Sequence, residues 1–194
     1  KQEKNDYQIY EDGTQGQGIA FFRLYQKKVK NKLGKEQLVS IKLSLSDTDA
    51  GSSDYTYWTE FIPEMESADI FLYDGHSGLG ANLELSNFPH LKFNKNLYQI
   101  YIFNGCSSYP YYNQTYFKGK GGSKNLDLIT SGLPTYSDTI APNIMGFLYP
   151  FIRGEIESYQ KFLDRAENTN GVNGTYLVGV NGDEDNSFKP LKNQ

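Results

Sequence analysis

The stretch YQIYIFNGC, residues 98–106, decides how this chain is read. From Tyr98 to Phe103 it is apolar apart from Gln99. A run this short and this continuously apolar reads as a strand buried on both faces, the kind that parallel sheets use. It ends in Asn104-Gly105, a turn signal, and the next residue is Cys106, the only cysteine of the chain. Thirty residues upstream, ADIFLYDGH, residues 68–76, has the same build: an apolar run, then Asp74-Gly75, then His76. If the two runs are neighbouring parallel strands, His76 and Cys106 emerge at the same edge of one sheet, where ligands of such sheets bind. Gly75 and Gly105 are expected to permit the tight turns that present the pair.

The rest of the pattern places this unit in a larger fold. A third apolar run, LDLIT (126–130), ends in Ser-Gly-Leu-Pro, and TYLVGV (175–180) reads as a last strand. Between them residues 139–167 carry Ile140, Ile144, Phe147, Leu148, Phe151, Ile152 and Ile156 on one side, which predicts a long helix started near Pro142 and broken near Pro150. Residues 54–66 predict a helix limited or kinked at Pro63. Residues 82–88 are expected to be a short helical or irregular link. Upstream, GIAFFRLY (18–25) and the alternating QLVSIKLSLS (37–46) predict a hairpin across a Lys-rich turn at 26–35, with residues 13–18 as a turn-rich loop. Residues 1–11 read as a tail or a peripheral strand, and residues 181–194 as a polar tail. Strands alternating with helices give an α/β class with a mostly parallel central sheet, plus an N-terminal β-hairpin.

Composition bounds the chemistry. The 194 residues suit a single domain, 1–194, with tails near 1–12 and 181–194. A net charge of −4 argues against nucleic-acid binding through phosphates. One cysteine forms no internal disulfide. With only His76 and His90 beside it, it makes no zinc site of the usual spacing. The apolar run at 144–152 is about nine residues, far short of the roughly 20 a membrane helix needs. Tyrosine and phenylalanine are abundant, at 16 and 12 residues, and core packing is the ordinary use of such rings. The chain begins at Lys1 and not at Met, so it is expected to be either a fragment or a chain from which an upstream segment was removed, and the missing start hints at export. A secreted or periplasmic place in a bacterium is therefore favoured over the cytoplasm.

Other motifs weigh less. Gly75-His76-Ser77-Gly78-Leu79 approaches the G-x-S-x-G elbow of a serine esterase, but Leu79 stands where its last glycine belongs, and His90 is the only histidine downstream. Asp47, Asp49 and Asp54 alternate around Gly51 as calcium ligands do, yet the terminal bidentate Glu is missing. Helix caps or a solvated loop are the preferred reading. The acidic turn at 181–186 is read the same way, as solvated turn rather than ligand set. Residues 119–124, GKGGSK, fail the phosphate-loop pattern and read as a flexible loop. No metal or cofactor is expected beyond that calcium candidate.

An apolar strand ending in Gly75-His76, followed by an apolar strand ending in Gly105-Cys106, resembles the caspase–gingipain–legumain group of cysteine peptidases (clan CD), the bacterial gingipain type above all. The resemblance spans about residues 68–133. It implies a three-layer caspase-like fold and a cysteine endopeptidase acting on a peptide or protein substrate. His76 and Cys106 would be the catalytic dyad, and the amides of Ser77 and Cys106 the oxyanion hole. Ser77 stands where the family has glycine; it offers the same amide over a narrower φ/ψ range. A catalytically silent binding module of the same fold is the alternative. Asp74 is a candidate for orienting His76 or lining the cleft, and Tyr136 and Asp138 are candidate cleft residues.

Overall fold

The computed structural model describes residues 8–15, 19–31, 33–45, 55–135, 137–155, 157–168 and 178–186. Among them lie two sheets and four α-helices. The first sheet holds β1 (Gln8–Gln15), β2 (Ile19–Lys30) and β3 (Glu36–Leu45) in that order, all antiparallel. The expected hairpin is thus a three-stranded meander. Strand β2 runs on through the Lys-rich stretch to Lys30, because Lys28 and Lys30 point to solvent while Val29 between them is buried. The turn shrinks to residues near Gly34, whose φ is 75°. Of the two readings of the N-terminal residues, the part from Gln8 onward is strand. An ion pair from Lys42 on β3 to Glu64, 3.0 Å long, joins this sheet to the next element.

That element is α1 (Tyr55–Ser67), close to the expected 54–66, with Pro63 inside the helix. Then come β4 (Ile70–Asp74), β5 (Gln99–Asn104), α2 (Ser108–Lys120), β6 (Leu126–Ser131), α3 (Ser137–Arg153), α4 (Tyr159–Asn168) and β7 (Val178–Asn181). The second sheet has the order β4-β5-β6-β7. Its first three strands are parallel and β7 is antiparallel to β6. Strands β5 and β6 are buried at every position, their polar residues Gln99, Asn104, Asp127, Thr130 and Ser131 included; β4, at the sheet edge, is buried only at alternate residues.

Alternation along the strands sends side chains to two separate cores. Phe71, Tyr73, Tyr101, Phe103, Leu126 and Leu128 pack with Met65 of α1, Leu83 and Phe88 of the link, and Tyr112 and Tyr116 of α2. On the other face Ile100, Ile102 and Ile129 pack with Phe147 of α3 and Ala166 of α4. Helices therefore cover both faces of a mostly parallel sheet. A buried polar knot ties the amino edge together. Gln99 Nε2 donates to the carbonyls of Met65 (3.1 Å) and Ala68 (2.7 Å) at the end of α1, and Gln99 Oε1 accepts from Lys120 at the end of α2.

The long helix of 139–167 is two helices. The chain continues through Pro150 to Arg153 and breaks at Gly154, whose φ of 65° is left-handed, while Glu155 donates its amide to the Pro150 carbonyl at 2.8 Å. Helix α2 has no counterpart among the expected elements, and it absorbs Gly119 and Lys120 of the expected loop. The 82–88 link holds a short 3-10 turn at Leu85–Asn87, preceded by another at Gly78–Gly80. Beyond β7, residues up to Asn186 are held by side chains: Ser123 Oγ donates to Asp185 at 2.9 Å, and Asn186 Nδ2 donates to buried Asp127 at 3.1 Å.

Candidate active site

The register of β4 and β5 sets the site. Tyr73 is opposite Phe103 and Asp74 opposite Asn104, so both strands stop at the same level. His76 and Cys106 each follow two residues later. Asn104 Nδ2 donates to Asp74 Oδ1 at 2.9 Å, and the Gly75 amide donates to the Asn104 carbonyl at 3.3 Å. The Asp74 carboxyl is held above its ordinary range by burial against the sheet rim, which outweighs the opposing pull of the Asn104 hydrogen bond.

The two turns touch. A Cβ at Gly105 would lie 2.8 Å from the Gly75 carbonyl oxygen and 3.6 Å from the Ser77 amide nitrogen. Only the missing side chain at 105 lets the His76 loop approach this closely. The φ of Gly105 is not in the left-handed region, so close approach and not turn conformation is what its glycine supplies.

The loop around His76 is held from below by three side chains. Tyr73 Oη donates to the His76 carbonyl at 2.8 Å and Asn82 Nδ2 to the same oxygen at 2.7 Å. Tyr112 Oη donates to the Ser77 carbonyl at 3.0 Å. His76 itself, its carbonyl so held, is exposed. Ser77 has φ −79° and ψ −19°, ordinary right-handed backbone, so serine meets no strain where the resembled family has glycine. It is 4% exposed. Among the described residues, neither the Ser77 nor the Cys106 amide donates a backbone hydrogen bond.

Cys106 is a half-buried free thiol just before α2. The next residue, Ser107, takes left-handed φ 49° and donates its amide to the Leu133 carbonyl at 3.0 Å. This bond brings the segment after β6 against the cysteine. The thiol itself donates to the Thr135 carbonyl at 3.6 Å and lies 3.8 Å from the Thr135 hydroxyl. The structure thus brings the His76 and Cys106 turns together, but among the described residues the thiol's hydrogen bonds go to Thr135 and not to the imidazole. Likewise Asp74 is bonded to Asn104 rather than to His76.

Tyr136 lies outside the described residues, as do Asp47, Asp49 and Asp54. Asp138 is on the first turn of α3, its side chain likewise not described. Among the described residues no group of three or more His, Cys, Asp or Glu side chains is arranged to hold a metal ion. No helix of the described residues is long and apolar enough to cross a membrane. Thr135, Asn82 and Tyr112 carry no sequence signal that would single them out; Asn104 has one, as the turn residue matching Asp74. No protein-family model matches the chain, and neither the curated proteins nor the solved structures contain a match.

Proposed function

We propose that this chain is a cysteine endopeptidase of caspase-like fold that hydrolyses peptide bonds through His76 and Cys106. The observation that carries the reading is the strand register, Asp74 opposite Asn104, which brings the two chemically capable residues to one sheet edge on touching turns. Helices on both faces of the sheet agree with the three-layer architecture the resemblance implies. A thiol and an imidazole brought together in space are what thiolate nucleophilic catalysis needs.

In this chemistry His76 takes the proton of the Cys106 thiol, and the sulfur attacks the substrate carbonyl carbon. The Ser77 and Cys106 amides donate to the oxyanion, a contribution of about 3 kcal/mol per donor. The tetrahedral adduct collapses to a thioester as the C–N bond breaks, and His76 gives its proton to the departing amine. Water, deprotonated by His76, then attacks the thioester. The carboxylic acid leaves and the thiol is restored. The burial of Ser77 favours the cysteine over the serine as nucleophile.

Wild type and Cys106→Ala, incubated with an unbiased peptide mixture, test this. New peptide termini should form with wild type alone. Equal cleavage by both proteins, or by neither, contradicts the reading. The second reading, a silent binding module, is favoured by one observation, the thiol's hydrogen bonds to Thr135 in place of the imidazole. It expects cleavage by neither.

A further inference from the structure

The turn that follows His76 has an unusual build. Gly78 (φ 57°), Leu79 (φ 56°) and Gly80 (φ 94°) are three successive residues in left-handed conformation. For a leucine this costs on the order of 1–2 kcal/mol, and a glycine at 79 would remove it. The leucine is also 86% exposed, so no packing in the described chain compensates. Its two flanking glycines are the residues pressed against protein. A Cβ at Gly80 would sit 2.9 Å from the Tyr111 ring of α2, and one at Gly78 would strike the Asn82 side chain. The turn is clamped on both sides and offers its one large apolar side chain to solvent. Strained residues of this kind cluster at ligand clamps and active sites.

Two further exposed apolar side chains belong with it. Tyr109, 45% exposed, is three residues past Cys106 in the first turn of α2. Leu133, 39% exposed, is two residues before Thr135, and its carbonyl accepts the Ser107 amide. The turn packed on Gly105, the start of α2 and the segment bonded to Ser107 therefore each carry one exposed large apolar residue. Among the described residues, the others of this kind are Leu33, Leu38, Leu43 and Leu45 of the N-terminal sheet region and Met145 of α3.

We propose that Leu79, Tyr109 and Leu133 form an apolar rim that binds aliphatic or aromatic side chains of an extended polypeptide flanking the bond to be cleaved. This rests on the peptidase reading. The occupant is a polypeptide because the three residues stand on the segments that flank Cys106 and the Ser77 and Cys106 amides, groups that suit a peptide carbonyl. It is apolar because the three side chains bring no charge to match. Leu79 is a specificity-determining residue in this account, and it takes no part in the chemistry.

The test uses Leu79→Gly, which relieves the left-handed strain and should melt no lower than wild type. Two fluorogenic peptides are compared, one with Leu and Phe flanking the scissile bond and one with Ser and Asn. Leu79→Gly should raise KM for the apolar peptide about tenfold or more and leave the polar peptide nearly unchanged. Cleavage of the apolar peptide with unchanged KM overturns the rim while the peptidase reading stands. If wild type cleaves neither peptide, polarisation binding of the same labelled peptides to Cys106→Ala separates the two claims. Apolar-selective binding lost in Cys106→Ala/Leu79→Gly supports the rim without the peptidase, and binding indifferent to Leu79 overturns it. A dimer that dissociates on Leu79→Gly, with no peptide bound, also overturns it, since the occupant would then be a second copy.

Discussion

Asn104 and Asp74 end neighbouring parallel strands and are hydrogen-bonded to each other, Nδ2 to Oδ1 at 2.9 Å. Asn104 is buried and Asp74 lies at the rim, so this bond joins the Gly75-to-Asn104 backbone bond in tying the two strand ends together where the His76 and Cys106 turns begin. Burial and the hydrogen bond act on the Asp74 carboxyl in opposite senses, burial being the larger. In Asn104→Ala burial acts alone. The Asp74 pKa, followed by NMR titration, should move further up, and urea unfolding should show a loss of about 1 kcal/mol. An Asp74 titration unchanged by the substitution would show that the bond does not form in solution.

The touching turns make a paired prediction at two small residues. Gly105→Ala forces a methyl to within 2.8 Å of the Gly75 carbonyl, a backbone atom that cannot swing aside. We expect a loss of about 1–3 kcal/mol in stability together with loss of any peptide cleavage. Ser77→Gly, by contrast, replaces a residue in ordinary backbone conformation. It should cost less than about 1 kcal/mol, through the freer unfolded chain, and leave cleavage close to wild type. Circular-dichroism melts and peptide turnover on the two variants read this directly; a more damaging Ser77→Gly would reverse the account.

Lys120 gives the pH dependence. Its side chain is 2% exposed and bonded to Gln99 Oε1, and burial lowers its ammonium to about 8. Between that value and the ordinary lysine range the unfolded chain binds a proton that the folded chain does not. This group's contribution to stability therefore rises as pH goes up through that window, and its penalty is fully present below it. Lys120→Met should melt a few degrees higher than wild type at pH 7, on the order of what 1 kcal/mol gives a chain of this size. The gap should narrow by pH 10. A gap that is constant with pH would mean the ammonium is already solvated.

Much of this architecture is legible in the residues. Strands β5 and β6 are buried on both faces, so their sequences are short and largely apolar, broken by buried polar residues such as Gln99 and Asp127, and the matching ends Asp74-Gly75 and Asn104-Gly105 announce the common edge. What the chain concealed has physical causes. Helix α2 buries Tyr112, Tyr116 and Lys120, residues whose polar tips find partners at Ser77, Leu83 and Gln99, so its inner face lacks the aliphatic spacing that marks a helix. Strand β1 carries Asp12 and Gly13 and breaks register twice, and its QIYEDGTQ has no alternation to read. Thr135 meets the thiol because bonds such as Ser107 to Leu133 and Ser131 to Ser108 hold the segment after β6 to the start of α2, contacts between segments that no local pattern encodes.

The central claim is that His76 and Cys106 act as a reactive pair, and alkylation tests it most directly. Wild type and His76→Ala are treated with iodoacetamide at neutral pH, and modification of the single cysteine is followed by mass spectrometry. His76 is exposed, so its loss should leave the fold intact. The account predicts Cys106 alkylation in wild type faster than in a free-thiol reference, slowed about tenfold or more in His76→Ala. Equal rates in the two proteins would contradict it.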